Sequence, residues 1–218
     1  MTNQFGVVLF FLISIFPTIG QATNHSSSSS IAQAKAQLDS IIRHNRDYIS
    51  KVDPTFFKQK SKGQSPKVTV VSCSDSRVHT HFLDETPEGN LFIIRNIGNQ
   101  IKTATGSVEY GVNHLKTPLL LILGHSQCGA ISEAMKDYSD LEHGVISELD
   151  SINIKSDVSN IEGVEQNVHS QVHYAIQLFE PLIKANKLLI VGAVYDFAND
   201  MKKGAGNINI INIQGKHV

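Results

Sequence analysis

Four short stretches of this chain are dominated by apolar side chains: "KVTVVS" (67–72), "LFIIR" (91–95), "PLLLILG" (118–124) and "LLIVGAVY" (188–195). Strands covered on both faces read as such runs rather than as alternation, so the four predict strands of a parallel sheet. Helical spacing fills the gaps between them. It runs through "GSVEYGVNHL" (106–115), through "CGAISEAMKDY" (128–138), and through a longer segment with Val164, Val168, Val172, Ile176 and Phe179 on one face. "NINIINI" (207–213) largely alternates polar with apolar and follows the turn-rich "KKGAG" (202–206), the pattern of an antiparallel edge strand. Ahead of the first strand, residues 31–50 place Ile31, Ala34, Leu38, Ile41, Ile42 and Ile49 at helical spacing, with Ser30 as N-cap. The expected class is α/β: a mostly parallel central sheet of about four strands, an antiparallel edge strand, flanking helices and an N-terminal helical arm. That helix could serve a partner chain or pack on its own sheet; periodicity does not decide which.

The first residues read differently. "FGVVLFFLISIF" (5–16) is followed by Pro17 and by the small-residue stretch "GQA" (20–22), the form of a secretory signal cut after Ala22. The apolar run is shorter than the ~20 residues needed to span a bilayer. The domain expectation is therefore a signal peptide (1–22), a flexible Ser-rich lead-in (23–30) and one folded domain (31–218), exported to a periplasm or secreted, with no membrane association once the signal is removed. At 218 residues, 41% apolar and 18% charged, the chain has enough material for one sizeable core. The net charge of −1, with basic residues scattered, argues against nucleic acid as a partner.

Export bears on the only two cysteines, Cys73 and Cys128. In an oxidising compartment a lone pair of cysteines defaults to a disulfide. Their neighbours suggest otherwise. Cys73 ends the first predicted strand and His125 ends the third, so both lie at the carboxyl edge, where open parallel sheets hold ligands. Cys128 follows within "GHSQCGA" at the start of a helix, a place that favours thiolate. Two thiolates and an imidazole form a three-ligand set suited to one Zn²⁺ per chain, with a fourth position left open as in catalytic sites. Asp75 and Arg77 alternate with Cys73 in "CSDSR" and point to the same side in an extended chain. Arg77 can hold the Asp75 carboxylate bidentately; Asp75 would then either accept a hydrogen bond from zinc-bound water or become a conditional fourth ligand.

"CSDSR" (73–77) with "HSQCG" (125–129) resembles the two signatures of the β-class carbonic anhydrases, Cys-x-Asp-x-Arg and His-x-x-Cys-Gly. "LFIIRNIGN" (91–99), "GSVEYGV" (106–112) and "LLIVGAVYDF" (188–197) are similar to the family as well, so the resemblance covers roughly residues 31–213. It implies Cys73, His125 and Cys128 as zinc ligands and Asp75 and Arg77 as the catalytic dyad. For the open, plant-type subgroup it implies a cleft shared with a neighbouring subunit and lined by Gln64, Phe92, Ile97 and Tyr110, with the Gly129 amide serving bound anions. Without the resemblance, Phe92, Ile97 and Tyr110 would read as core packing, Gly129 as a small first-turn residue, and Gln64 as a loop amide. Another subgroup uses a regulatory bicarbonate pocket containing tryptophan; this chain has none.

The implied reaction is reversible hydration of carbon dioxide to bicarbonate and a proton by attack of zinc-bound hydroxide, in a homodimer or higher homo-oligomer. Histidine is the side chain suited to moving protons near neutrality, and His79 and His81 lie close in sequence to the dyad, but as surface histidines they carry no assigned role. Two alternatives stand beside this: hydrolysis of a linear analogue such as carbon disulfide or carbonyl sulfide, and a non-catalytic zinc-binding or disulfide-stapled secreted module.

Overall fold

The structure, a computed structural model, describes residues 27–218; the expected signal peptide lies outside the described residues. Two compact units are present. The first reaches to Phe57, the second runs from Lys58 to Val218. In the first, α1 (Ser27–Lys51) begins within the serine run, so Ser30 sits inside the helix rather than capping it. Ile31, Leu38, Ile41, Ile42 and Ile49 along α1 are exposed. Tyr48 meets Phe57 edge-on at 6.3 Å near the start of α2 (Pro54–Lys60).

In the second unit the four apolar runs become β1 (Val68–Cys73), β2 (Leu91–Asn96), β3 (Leu119–His125) and β4 (Leu189–Asp196). They lie in the order β2-β1-β3-β4 and pair in parallel. β1, β3 and β4 are buried almost throughout, which is why their sequences do not alternate. Because β2 lies on one side of β1 and β3 on the other, the chain reverses its direction of winding at β1. That places a ligand crevice at the carboxyl ends of β1 and β3.

β5 (Asn207–Ile213) adds antiparallel to β4 as expected, and a two-residue strand, β6 (Lys216–His217), lies beyond it. The faces of β5 are inverted relative to a simple hydrophobic-in reading. Ile208 and Ile210 are exposed while Asn209 and Asn212 are buried, and the register shifts at Gly192/Ala193.

The longest helix of this unit, α6 (Asn160–Leu178), starts at a capping box in which the Ser159 amide donates to Glu162 (2.8 Å) and the Glu162 amide donates to Ser159 Oγ. Val164, Val168, Val172 and Ala175 are buried on its inner face. Gly124 on β3 and Gly192 on β4 permit the close approach: a Cβ at 124 would lie 2.7 Å from Val168 Cγ2. The predicted helix over 106–115 is divided into α3 (Thr105–Glu109) and a π turn over Tyr110–His114. There the Gly111 carbonyl accepts from both the amide and the hydroxyl of Thr117 (each 3.2 Å), and the Leu115 amide reaches back to Tyr110. The predicted helix over 128–138 shortens to α4 (Gly129–Ala134), followed by α5 (His143–Leu149). α7 (Glu180–Lys184) precedes β4.

Candidate metal centre

Cys73 closes β1 and His125 closes β3, so the sheet itself delivers both to one edge. Gln127 then adopts a left-handed conformation (φ 55°), and Cys128 caps α4. One ligand atom from each of Cys73, His125 and Cys128 lies within 4.8 Å of the other two, and all three residues are buried. The cysteines are free thiols.

The donor set fits a metal ion. His125 is fully buried, and its Nδ1 donates to the Ser126 carbonyl at 2.9 Å. That bond fixes the ring and leaves Nε2 facing the thiols, where it is buried without a hydrogen-bond partner. An unpaired buried polar nitrogen is costly. Coordination of a thiophilic, imidazole-accepting ion such as Zn²⁺ would satisfy it, with Ser126 as the supporting contact.

The electrostatics favour the same outcome. Hydrogen bonding from Cys128 pulls the Cys73 thiol below its ordinary range, against the opposing effect of burial, and His125 with the Gly98 and Asp75 amides pulls the same way. Cys128 is pushed up by its bond to that thiolate and by burial. Without metal, the two sulfurs therefore share a proton that an ion would displace.

Asp75 stands beside the cluster and outside it. Its Oδ1 accepts from Arg77 Nε (2.9 Å) and from the Arg77 amide (2.9 Å), and its Oδ2 accepts from Arg77 Nη2 (2.7 Å). Oδ2 also lies 4.0 Å from His125 Nε2. The Arg77 hydrogen bonds hold the carboxyl well below the usual carboxylate range. Arg77 is itself fixed by donating to the Gln127 carbonyl (3.0 Å) and by lying 4.7 Å over the Phe197 ring.

Three contributors were not legible in the sequence. Arg95 donates from Nε to the Cys73 carbonyl (3.0 Å) and from Nη2 to the Asp75 carbonyl (2.7 Å), tying together the stretch that carries ligand and dyad. Asn160 accepts from the Cys128 amide (3.1 Å) and donates to the Cys128 carbonyl (2.9 Å) and to Ser132 Oγ (2.8 Å). Phe197 stacks on His125 at 5.9 Å. Only the local motif "RNIGN" hinted at any of this, through Gly98 in a left-handed conformation (φ 74°) with its amide turned to Cys73.

The remaining expected residues fall into two groups. Gly129 is exposed, and a Cβ there would meet nothing within 4 Å, so its backbone borders open space beside Cys128. Ile97 follows β2 and precedes Gly98, packed against the core. Phe92 and Tyr110 meet at 5.8 Å, but Phe92 lies four positions before Asn96, the β2 partner of Cys73. That is about 13 Å along the strand from the ligand edge. Gln64 is exposed in the loop before β1. Within one chain these last three are not gathered around the cluster.

Comparison with known proteins agrees with the geometry. The model of the carbonic anhydrase family matches residues 68–202. A carbonic anhydrase of Emericella nidulans is 35% identical over 104 residues, 44% of this chain and 46% of that protein. Carbonic anhydrase 2 of Mycobacterium tuberculosis is 30% identical over 147 residues, 61% of this chain and 71% of that protein. The chain thus spans about half the length of the first relative and more of the second. A tetrameric β-carbonic anhydrase from Sordaria macrospora shares the fold with a TM-score of 0.62 at 23% identity, over 84% of this chain and 98% of that one. With the family match running over more than half of its length and its sheet built as in the β class, this chain belongs to the carbonic anhydrase family.

Proposed function

We propose that the protein is an exported zinc enzyme that interconverts carbon dioxide and bicarbonate. The observation that carries the proposal is the unpartnered, fully buried His125 Nε2 facing two thiols, with the Asp75 carboxylate clamped 4.0 Å away. Cys73, His125 and Cys128 would hold one zinc ion. Zinc supplies Lewis acidity, which lowers the pKa of bound water to about 7 in the His₃ site of a different carbonic anhydrase class; two thiolates raise that value and nearby donors offset the rise. Arg77 occupies both oxygens of Asp75 and so keeps the carboxylate off the thiol cluster and ionised. In that position Oδ2 accepts a hydrogen bond from the reacting water and orients it toward substrate. Gly129 offers a backbone donor at an open position for the product anion.

This pairing, with no tryptophan in the chain, favours the open, plant-type arrangement, with Asp75 a fourth ligand only if Arg77 releases it. Gln64, Phe92 and Tyr110 lie away from the cluster of their own chain and are assigned to the cleft of a neighbouring subunit, joined by the local Ile97. The exposed isoleucines of α1 support a homo-oligomer. Export rests on the apolar run at 5–16 followed by "GQA" at 20–22.

Stopped-flow hydration of carbon dioxide by the mature zinc-loaded protein tests the reading. Turnover dependent on one zinc per chain is expected, and Cys73→Ser should lose metal and activity together. A fully zinc-loaded protein with no turnover above buffer would overturn it.

A further inference from the structure

The geometry points to a second metal site, formed by His79 and His81, that takes a borderline divalent transition ion such as Zn²⁺ or Ni²⁺ at the protein surface. The two Nδ1 atoms lie 3.3 Å apart. An ion placed 2.0–2.1 Å from each, the normal zinc–imidazole distance, subtends an angle of roughly 110° across that separation, which is the tetrahedral value. In the metal-free protein the same separation admits one N–H···N hydrogen bond, whose proton an ion would displace. The rings, with centroids 5.3 Å apart and planes tilted by 35°, are spaced so that both Nδ1 atoms can reach one ion.

The pair is held in place from both sides. Val78, just before it, is 3% exposed, and Phe82, just after it, stacks on Tyr195 at 3.9 Å with the planes 10° apart. His79 is extended (φ −134°, ψ 163°), and the single 3₁₀ turn Thr80–Phe82 brings His81 back beside it. Preorganisation of this kind matters most for a site with few ligands, because little ordering is left to be done on binding.

Both imidazoles are exposed and open onto a hollow of about 430 Å³ that Glu85 and Glu88 also line. The two carboxylates lend negative charge to the hollow, and solvent completes the coordination. Lys60 Nζ donates to the Glu88 carbonyl. The other stacked pair of histidines, His169 and His217, is not arranged this way: His169 Nδ1 is taken by Asn212 Nδ2 at 2.8 Å.

The test starts from the full mature protein already carrying one zinc per chain and adds Zn²⁺ beyond that equivalent. Bound metal is read by equilibrium dialysis with elemental analysis, and the imidazole nitrogens by ¹H–¹⁵N NMR. Wild type should take up a second equivalent, with the Nδ1 resonances of His79 and His81 shifting together. Loss of a supporting outer-shell group alone costs about 10–100-fold in metal affinity, so His79→Ala and His81→Ala should each weaken the second site more than tenfold. Neither should alter the first equivalent, and His217→Ala should leave both unchanged. Absence of a second equivalent in wild type, its survival in both His79→Ala and His81→Ala, or its loss in His217→Ala would refute the site. Failure at the Cys73 cluster would instead appear in the first equivalent, which is measured separately.

Discussion

Asn160→Ala removes three hydrogen bonds centred on Cys128: the bond from its amide at 3.1 Å, the bond to its carbonyl at 2.9 Å, and the link to Ser132 Oγ at 2.8 Å. Each half-buried hydrogen bond contributes about 0.5–1.5 kcal/mol net, so the metal-free protein should lose about 1.5–4.5 kcal/mol of stability. The larger consequence falls on the metal. Cys128 sits between Gln127, in a left-handed conformation, and the first turn of α4; Asn160 holds its amide and shares its carbonyl with the Ser132 amide (3.1 Å). Without it the Cys128 amide loses its partner and only the helical bond from Ser132 fixes the carbonyl, so zinc affinity should fall about 10–100-fold, as for other supporting contacts of metal ligands. Competition with a chromophoric chelator measures the affinity, and urea denaturation of the metal-free form measures the stability. Ser132→Ala, which deletes only the outer bond, should change zinc affinity less than tenfold. Wild-type zinc affinity in Asn160→Ala would refute the reasoning, whatever happened to stability.

Gly124→Ala forces a Cβ to 2.7 Å from Val168 Cγ2 and 2.9 Å from Val164 Cγ1, both stiff β-branched side chains, and should cost about 1–3 kcal/mol in urea denaturation; an unchanged midpoint would show that α6 can withdraw freely. Gln171→Leu strands the Ile101 amide (2.9 Å) and Gln100 Oε1 (2.7 Å) in a buried setting and should cost about 2–4 kcal/mol by the same assay. Arg77→Gln removes the main cause of the lowered Asp75 carboxyl, so its ¹³C titration should move up toward the ordinary value of about 3.9. A depressed carboxyl stabilises the fold above its unfolded pKa and ceases to do so as pH falls through the folded value, so wild type should lose this contribution only in acid and Arg77→Gln should lack most of it at every pH. An identical Asp75 midpoint in both proteins would remove Arg77 as the cause.

The sheet was largely legible because its strands are buried on both faces: β1, β3 and β4 could be read as apolar runs, and the sharp turn after each placed Cys73 and His125 at one edge. β5 shows where period-two reading stops. Alternation says that the faces differ, not which faces inward, and across the register shift opposite Gly192/Ala193 Asn209 and Asn212 turn inward beside Ile211 while Ile208, Ile210 and Ile213 face outward. The helix expected over 106–115 is instead divided into α3 and a π turn, where Thr117, beyond its end, captures the Gly111 carbonyl. Arg95 and Asn160 escaped for a different reason. Each supports the site through carbonyl and amide groups of residues far away in the chain, and no local spacing encodes such a contact.

Gly98 turns its amide to Cys73 from a loop whose neighbours are bound into α6: Asn167 Nδ2 donates to the Gly98 carbonyl (2.8 Å), Gln100 Nε2 donates to Asn167 Oδ1 (3.1 Å), and Gln171 receives the Ile101 amide (2.9 Å). All three side-chain amides are buried, so the set works as a lock with a single keyed position. Sliding α6 by one residue would leave several of these groups unpaired at once, a penalty no neighbouring register can recover. The thiolate environment is therefore tuned by where a distant helix docks. An early loosening of α6 should show as a drifting metal affinity while helix content is still intact, which makes zinc retention the more sensitive gauge of native packing in this protein.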